Sequence, residues 1–300
     1  MKVSIVTPLF NERDKIEDYL KMISRQTVKP EIVLVDGGST DGTVEIIRKY
    51  QKKMPNLKLY FEEGEIRSVG NARNVGIKKA TGDIIFFIDV DGVVEKDLVK
   101  KIKEEFEKHE KDGCVAIRFK IKPLKEGIKS RLQEAFFYRD AARWKLDSHC
   151  YVLKKEVIPL FNPKAGYGED KEWIAEVKER VKGKCCDSDQ VLMFFQHGPK
   201  DLKDLWRRYL WYGRGYIYYY YRHRDEKIHL MKLLFAFFSV PFLFLALLPA
   251  ARGFYYSLKV IKEYPKGLIM IPLIEAMAFP IMALGFWQYL LKKNKKHFGH

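Results

Sequence analysis

Two aspartates one residue apart, Asp89 and Asp91, follow a run of five apolar residues at positions 84–88. In extended backbone, residues two apart project to the same side. Carboxylates so placed repel one another unless a cation joins them. A hard divalent ion such as Mg2+ or Mn2+, also bound to a diphosphate, meets that demand and would neutralise charge on a departing nucleotide diphosphate. Asp36 ends a second apolar run and precedes Ser39, Thr40 and Asp41, a cluster suited either to a ligand or to a plain helix cap. Asp170 opens a helical pattern after the glycine-flanked turn at 166–168. Helix amides there favour an ionised carboxylate, which can serve as a general base or simply complement the helix dipole. His197 follows a strand-like run at 191–195 and reads equally as a metal ligand, a diphosphate contact or an ordinary turn histidine.

The elements that must position these groups are legible in the periodicity. Apolar runs at 3–7, 31–35, 57–61, 84–88 and 115–121 read as strands. Helical patterns intervene: one after Asn11, read as its cap, with Ile16, Leu20 and Ile23 on one face, then 43–47, 71–80 and 98–106. Strands apolar on both faces that alternate with helices predict a mostly parallel α/β sheet covered on both sides. Ligands bind such sheets beyond the carboxyl ends of the strands, where the clusters at 7–11, 36–41 and 89–91 would converge. Residues 129–144 and 173–181 read as further helices, and 150–153 and 191–195 as further strands.

Residues 3–12 (VSIVTPLFNE), 35–43 (VDGGSTDGT), 70–76 (GNARNVG) and 81–92 (TGDIIFFIDVDG) resemble the successive motifs of family 2 glycosyltransferases with the Rossmann-like GT-A fold, and Gly168-Glu169-Asp170 resembles the acidic motif that follows them. The resemblance spans roughly residues 1–220. It implies a metal-dependent, inverting transferase that takes a UDP- or GDP-linked sugar. It further implies that Thr7, Pro8 and Glu12 line the nucleotide pocket and that Asp36 accepts a hydrogen bond from the base with Arg73 close by. Asp89 would face ribose and diphosphate, Asp91 would ligate Mg2+ or Mn2+, and Asp170 would be the catalytic base; Asp89 and, on its position alone, His197 are the further candidate ligands. Gly37 stands where the family often carries a second Asp.

The last third differs in character. Residues 201–224 are dense in Trp, Tyr and Arg, and 233–251 and 267–291 are long and apolar enough to span a bilayer. The expected organisation is a catalytic domain over 1–200, an amphipathic interfacial helix over 201–230, and over 231–300 a transmembrane hairpin with a basic tail. Aromatics at Tyr255, Tyr256 and Trp287 suit the interfaces, and the tail at 292–296 favours a cytoplasmic terminus, hence a cytoplasmic catalytic domain on a multi-pass cell-membrane protein. Arg207, Arg208 and Arg214 are candidate contacts for a lipid phosphate, with Gly213 and Gly215 allowing close backbone approach; the alternative is a connecting helix anchored by aromatics. Glu275 is the one ionisable group in the second span. The net charge of +16 calls for an anionic partner. With the motifs above, the expected partners are a nucleotide-sugar donor, a lipid or lipid-linked acceptor and the membrane, with a homo-oligomer allowed and nucleic acid not expected. Two other classes remain: a nucleotidyltransferase on a similar sheet, and a membrane-tethered binder of nucleotide or acidic lipid without catalysis. Residues 1–10 enter a strand at once, so no secretory leader is expected. Four cysteines without a CxxC pair read as buried thiols in a reducing compartment, and a metal site from Cys185, Cys186 and His149 or Cys150 lacks zinc-ligand spacing.

Overall fold

A computed structural model of the chain describes residues 1–64, 66–124, 128, 130–144, 149–164, 169–195, 198–199, 201–222 and 247–291. Its centre is an eight-stranded sheet built from β1 (Val3–Leu9), β2 (Glu31–Asp36), β3 (Leu57–Phe61), β4 (Ile84–Phe87), β5 (Gly92–Val93), β6 (Ala116–Pro123), β7 (His149–Lys154) and β8 (Cys185–Phe195). The order across the sheet is β3-β2-β1-β4-β7-β6-β8-β5. The half made by β3, β2, β1 and β4 is parallel. Beyond β4 the sheet is mixed, because β7 runs antiparallel to both β4 and β6. The expectation of a mostly parallel sheet is therefore corrected to a mixed one. Strand β7 buries Val152 on one face of the sheet and Leu153 on the other, and it is hydrogen-bonded antiparallel to β4 and β6.

Helices α1 (Arg13–Ser24), α2 (Thr43–Gln51) and α4 (Leu98–Lys108) cover one face, where Ile5, Leu9, Ile16, Leu20, Leu34 and Ile102 belong to the main core. Helices α3 (Val69–Lys79) and α6 (Glu169–Arg180) cover the other, with Val6, Val35, Val75, Trp173 and Val177 buried between. Gly76 lets α3 lie against β1, since a Cβ there would collide with Val6. Asn11 does not cap α1 as its position suggests. It adopts a left-handed φ of 53°, and its side chain accepts from the Thr40 amide, tying the first loop to the second.

The remaining helices pack on each other: α5 (Arg131–Trp144), α7 (Leu202–Arg222), α8 (Leu247–Val260) and α9 (Gly267–Leu291). Helix α9 contains one segment, Gly267–Gly285, long and apolar enough to cross a membrane by length and composition. Most of the first expected span, 233–251, lies outside the described residues, so of the two expected spans only the second is described. Gly213 and Gly285 let the backbones of α7 and α9 touch, because a Cβ at either would strike a carbonyl of the other helix. Close approach at Gly213 thus serves helix packing, as small residues do between apolar helices. Glu275 is buried on α9 and accepts from Arg252 of α8, with its other oxygen 3.6 Å from Arg139 of α5.

Candidate active site

Three loops meet beyond the carboxyl ends of β1, β2 and β4. The hub is Arg73, carried inward by α3 and only 12% exposed. Its guanidinium donates to Asp89 Oδ1 at 3.0 Å and to Glu169 Oε1 at 3.4 Å. One arginine thereby joins the end of β4 to the start of α6, Arg73 itself being 96 residues from Glu169 in sequence. It lies 5.2 Å over Phe161, which stacks on Trp173 at 4.8 Å while Phe87 meets both edge-on. Asn74, one residue on from Arg73, pins that aromatic floor by bonding both the amide and the carbonyl of Phe161. Burial would weaken the Arg73 charge, but Asp89 and Glu169 more than offset this and raise its pKa. Its Nε is buried without a hydrogen-bond partner, leaving one donor of the fork unused.

Glu169 is a site residue to which the sequence analysis assigns no role. Burial pushes its carboxyl up to about 7, against the pull of Arg73 and with Asp170 adding to the rise. A readable signal exists: Glu169 lies one helical turn before Trp173, so the two share the inward face of α6. Asp170 points elsewhere. It is exposed, and its Oδ1 accepts the Lys171 amide at 2.9 Å. Asp89 is 48% exposed on its side chain, and Asp91 is exposed in the turn that the Gly92 amide closes onto the Asp89 carbonyl. Among the described residues, the Asp91 carboxylate has no hydrogen bond or ion pair. Oxygen ligands that are exposed, adjacent and not fully engaged fit a hard divalent cation.

The nucleotide-side expectations divide. Asp36 is fully buried and accepts from the amides of Gly38 and Ser39, both at 2.8 Å, and from the Ser39 hydroxyl at 2.6 Å. A carboxylate offers about four lone-pair sites, so this turn leaves one over. Thr7 is fully buried too, and its hydroxyl sits 2.5 Å from that of Tyr19 on α1. Its side chain belongs to the core face that it shares with Ile5 and Leu9. Pro8 is half-buried at the end of β1. Glu12 is half-buried, starts α1 and pairs with Lys15 at 2.9 Å. Arg67, which sequence reasoning passes over, reaches the Gly37 carbonyl at 3.2 Å. His197 lies outside the described residues. Of the basic residues on α7, Arg207 is 70% exposed and Arg208 bonds Asp204 at 3.1 Å, whereas the Arg214 side chain is outside what is described.

The family model described as glycosyl transferase family 2 matches residues 4–156. The poly(ribitol-phosphate) beta-N-acetylglucosaminyltransferase TarS of Staphylococcus aureus is 33% identical over 115 residues, 37% of this chain and 20% of that protein. Glycosyltransferase AglE of Haloferax volcanii is 38% identical over 92 residues, 30% of each chain. The uncharacterized glycosyltransferase EpsJ of Bacillus subtilis is 34% identical over 221 residues, 68% of this chain and 63% of that one. The matched part thus spans a fifth to somewhat under two thirds of these relatives. Among solved structures, mannosyltransferase PcManGT from Pyrobaculum calidifontis, in complex with GDP-Man and Mn2+, has a TM-score of 0.61 at 18% identity over 98% of this chain and 88% of that one. The S. aureus TarS 1-349 structure in complex with UDP has a TM-score of 0.52 at 19% identity over 99% and 93%. At these identities the structural likeness establishes the fold.

Proposed function

The chain belongs to glycosyl transferase family 2, and from that premise we propose that it moves a sugar from a UDP- or GDP-linked donor to a membrane-associated acceptor, a lipid phosphate or lipid-linked glycan, with inversion at the anomeric carbon. The observation that carries the reading is the Arg73 bridge, which holds the Asp89 strand end and the Glu169-Asp170 helix start at one cleft. Donor and acceptor chemistry need those two places side by side. Relatives solved with UDP, or with GDP-Man and Mn2+, support the donor class.

Asp91 and the less engaged side of Asp89 are the residues that would hold Mg2+ or Mn2+, which supplies charge neutralisation on the leaving diphosphate. Arg73 orients Asp89 through one arm and keeps Glu169 from drifting into the cleft through another. For a glycan acceptor, Asp170, exposed and in the first turn of α6, takes the proton from the hydroxyl as the hydroxyl oxygen attacks the anomeric carbon and the nucleotide diphosphate leaves; an ionised lipid phosphate attacks without needing a base. Asp36 and Arg67 shape the loop at 37–39 against which the base would lie. Trp206 and Trp211 are exposed on α7 beside Arg207, a combination suited to a bilayer interface where a lipid phosphate is met. In this reading α9 and the segment before it anchor the protein, with the catalytic unit on the cytoplasmic side.

Thermal stabilisation of the purified chain by UDP, GDP, CDP and their sugars, with and without Mn2+, tests the proposal. A metal-dependent rise in Tm is expected for one nucleotide class and is lost in Asp91→Ala. Absence of any shift across the panel overturns the donor assignment.

A further inference from the structure

Four side chains without a part in the chemistry above meet at the other end of the sheet. His109 follows α4, Asp112 lies in the turn after it, Cys114 leads into β6, and Cys186 is the second residue of β8. One ligand atom from each, an imidazole nitrogen, a carboxylate oxygen and two sulfurs, lies within 4.8 Å of all the others. The sheet register fixes the location. Ala116 at the start of β6 pairs with Leu153 of β7, which pairs with Ile85 near the start of β4. The cluster therefore sits beyond the amino-terminal end of β6, and Asp89 beyond the carboxyl end of β4.

Cysteines 114 and 186 are 72 residues apart and carry no motif, so the expectation of separate buried thiols misses their pairing. The parallel β6–β8 ladder brings them together by aligning Ile117 with Cys186. In the structure their sulfurs are joined as a disulfide with Cα atoms 6.0 Å apart. A disulfide alone gives no reason for the imidazole and carboxylate beside it.

We propose that the reduced chain binds one zinc ion here, through Cys114, Cys186, His109 and Asp112, as a clamp between the α4–β6 turn and β8. Two thiolates, one imidazole and one carboxylate make the four-coordinate, thiophilic donor set that zinc takes, and four protein ligands close the site to substrate. The imidazole is already turned correctly. Its Nδ1 is hydrogen-bonded to Asp112 Oδ2 at 2.8 Å, and a small opening to the roughly 3.3 Å edge of a tetrahedron would let both bind one ion. Its Nε2 lies 3.7 Å from Oε2 of buried Glu105, one turn back on α4. Ligating histidines present their other ring nitrogen to a carboxylate in this way, which fixes the tautomer. Neither Nε2 nor that Glu105 oxygen, which lies 3.6 Å from the Lys108 ammonium, has a hydrogen bond, and an Nε2–H held by metal binding at Nδ1 would donate to the carboxylate once the two close from 3.7 Å. Rotation about the two Cα–Cβ bonds separates the sulfurs to the roughly 3.8 Å that two Zn–S bonds of about 2.3 Å require. Each thiol gives up a proton on binding. The other two cysteines are placed differently: Cys185 is exposed, and burial pushes the Cys150 thiol up to about 12. The site stands whether or not the transferase reading holds.

Elemental analysis of the full chain, purified anaerobically with reductant and without chelator, tests this directly. One zinc per chain is expected in wild type and in Cys185→Ser, and none in Cys114→Ser or Cys186→Ser. Cobalt exchanged into the wild type should show thiolate-to-metal charge-transfer absorption. Glu105→Gln should weaken metal affinity about 10- to 100-fold through loss of the carboxylate behind His109. Wild-type protein without metal overturns the proposal, whether thiol titration then finds all four cysteines reactive or only Cys150 and Cys185. Zinc retained in Cys114→Ser overturns it as well.

Discussion

The α/β unit and the helical unit each bury an arginine against carboxylates, and the two arrangements have opposite charge balance. At the cleft, Arg73 faces two carboxylates, Asp89 and Glu169, with two more, Asp91 and Asp170, exposed nearby. Among the helices, Glu275 faces two guanidiniums, Arg252 and Arg139, and Arg139 also donates to the Tyr209 hydroxyl at 2.7 Å and lies over the Phe136 ring. An excess of carboxylate at an open strand end invites a cation and its anionic ligand. A single carboxylate shared by arginines from α5 and α8 instead fixes how three helices meet. The surfaces follow the same division. Exposed large apolar side chains gather on the helical unit, at Trp206, Trp211, Phe254, Tyr255, Leu258, Ile269, Leu273 and Met277, and are few on the α/β unit.

If the cleft cluster acts and the helical cluster only holds, substitutions should separate activity from stability. Asp170→Asn should lower kcat about 10²- to 10⁴-fold with an unchanged Tm, as loss of a general base does. Glu169→Gln should cost far less, and it should raise Tm more at pH 8 than at pH 5. The sign follows from the raised pKa: above about 7 the folded chain holds a buried charge that the unfolded chain would carry in water, and at pH 5 that carboxyl is already protonated. A large loss of kcat in Glu169→Gln with little in Asp170→Asn would move the base from Asp170 to Glu169. Glu275→Ala should destabilise the fold by about 3 kcal/mol, because it removes the buried carboxylate that Arg139 and Arg252 share, while the remaining folded protein keeps its kcat per molecule. Loss of activity without loss of stability there would erase the distinction between the two clusters.

The smallest effect lies within the α/β unit, remote from the cleft. Burial alone would raise the Glu31 carboxyl, but bonds from the Ser4 hydroxyl, the Thr81 amide, Lys58 and the Thr81 hydroxyl hold it at about 2. A carboxyl depressed on folding stabilises above its ordinary value near 4.5, and that contribution disappears as pH falls through about 2. Glu31→Gln should therefore cost on the order of 2 kcal/mol at pH 7 in denaturant melts and nothing measurable at pH 2.

The parallel half of the sheet is legible because its strands are buried on both faces and its helices carry one apolar stripe. The antiparallel direction of β7 is not, since its partners β4 and β6 are fixed by long-range pairing that no local period encodes. Asp89 and Asp91 are legible from the apolar run that delivers them. The inward orientation of Thr7 follows from the period of two that it shares with Ile5 and Leu9, a pattern outweighed by the motif in which it stands. Arg73 is placed near the site by the same motifs, but its bridge to Glu169 depends on α6 folding back over α3, which no spacing in the sequence reveals. Gly213 reads as room for a ligand until α9 is seen to occupy it.

The two-residue strand β5 has a consequence for how the protein is made. It follows directly on Asp91 and is hydrogen-bonded to the last residues of β8, Gly92 with Phe195 and Val93 with Phe194. On the ribosome, the roughly 100 residues between them take about 5–20 s to appear, and the loop that carries Asp91 is without its sheet partner throughout. The nascent chain thus acquires its first four strands early, yet it has no finished cleft until the eighth has left the exit tunnel.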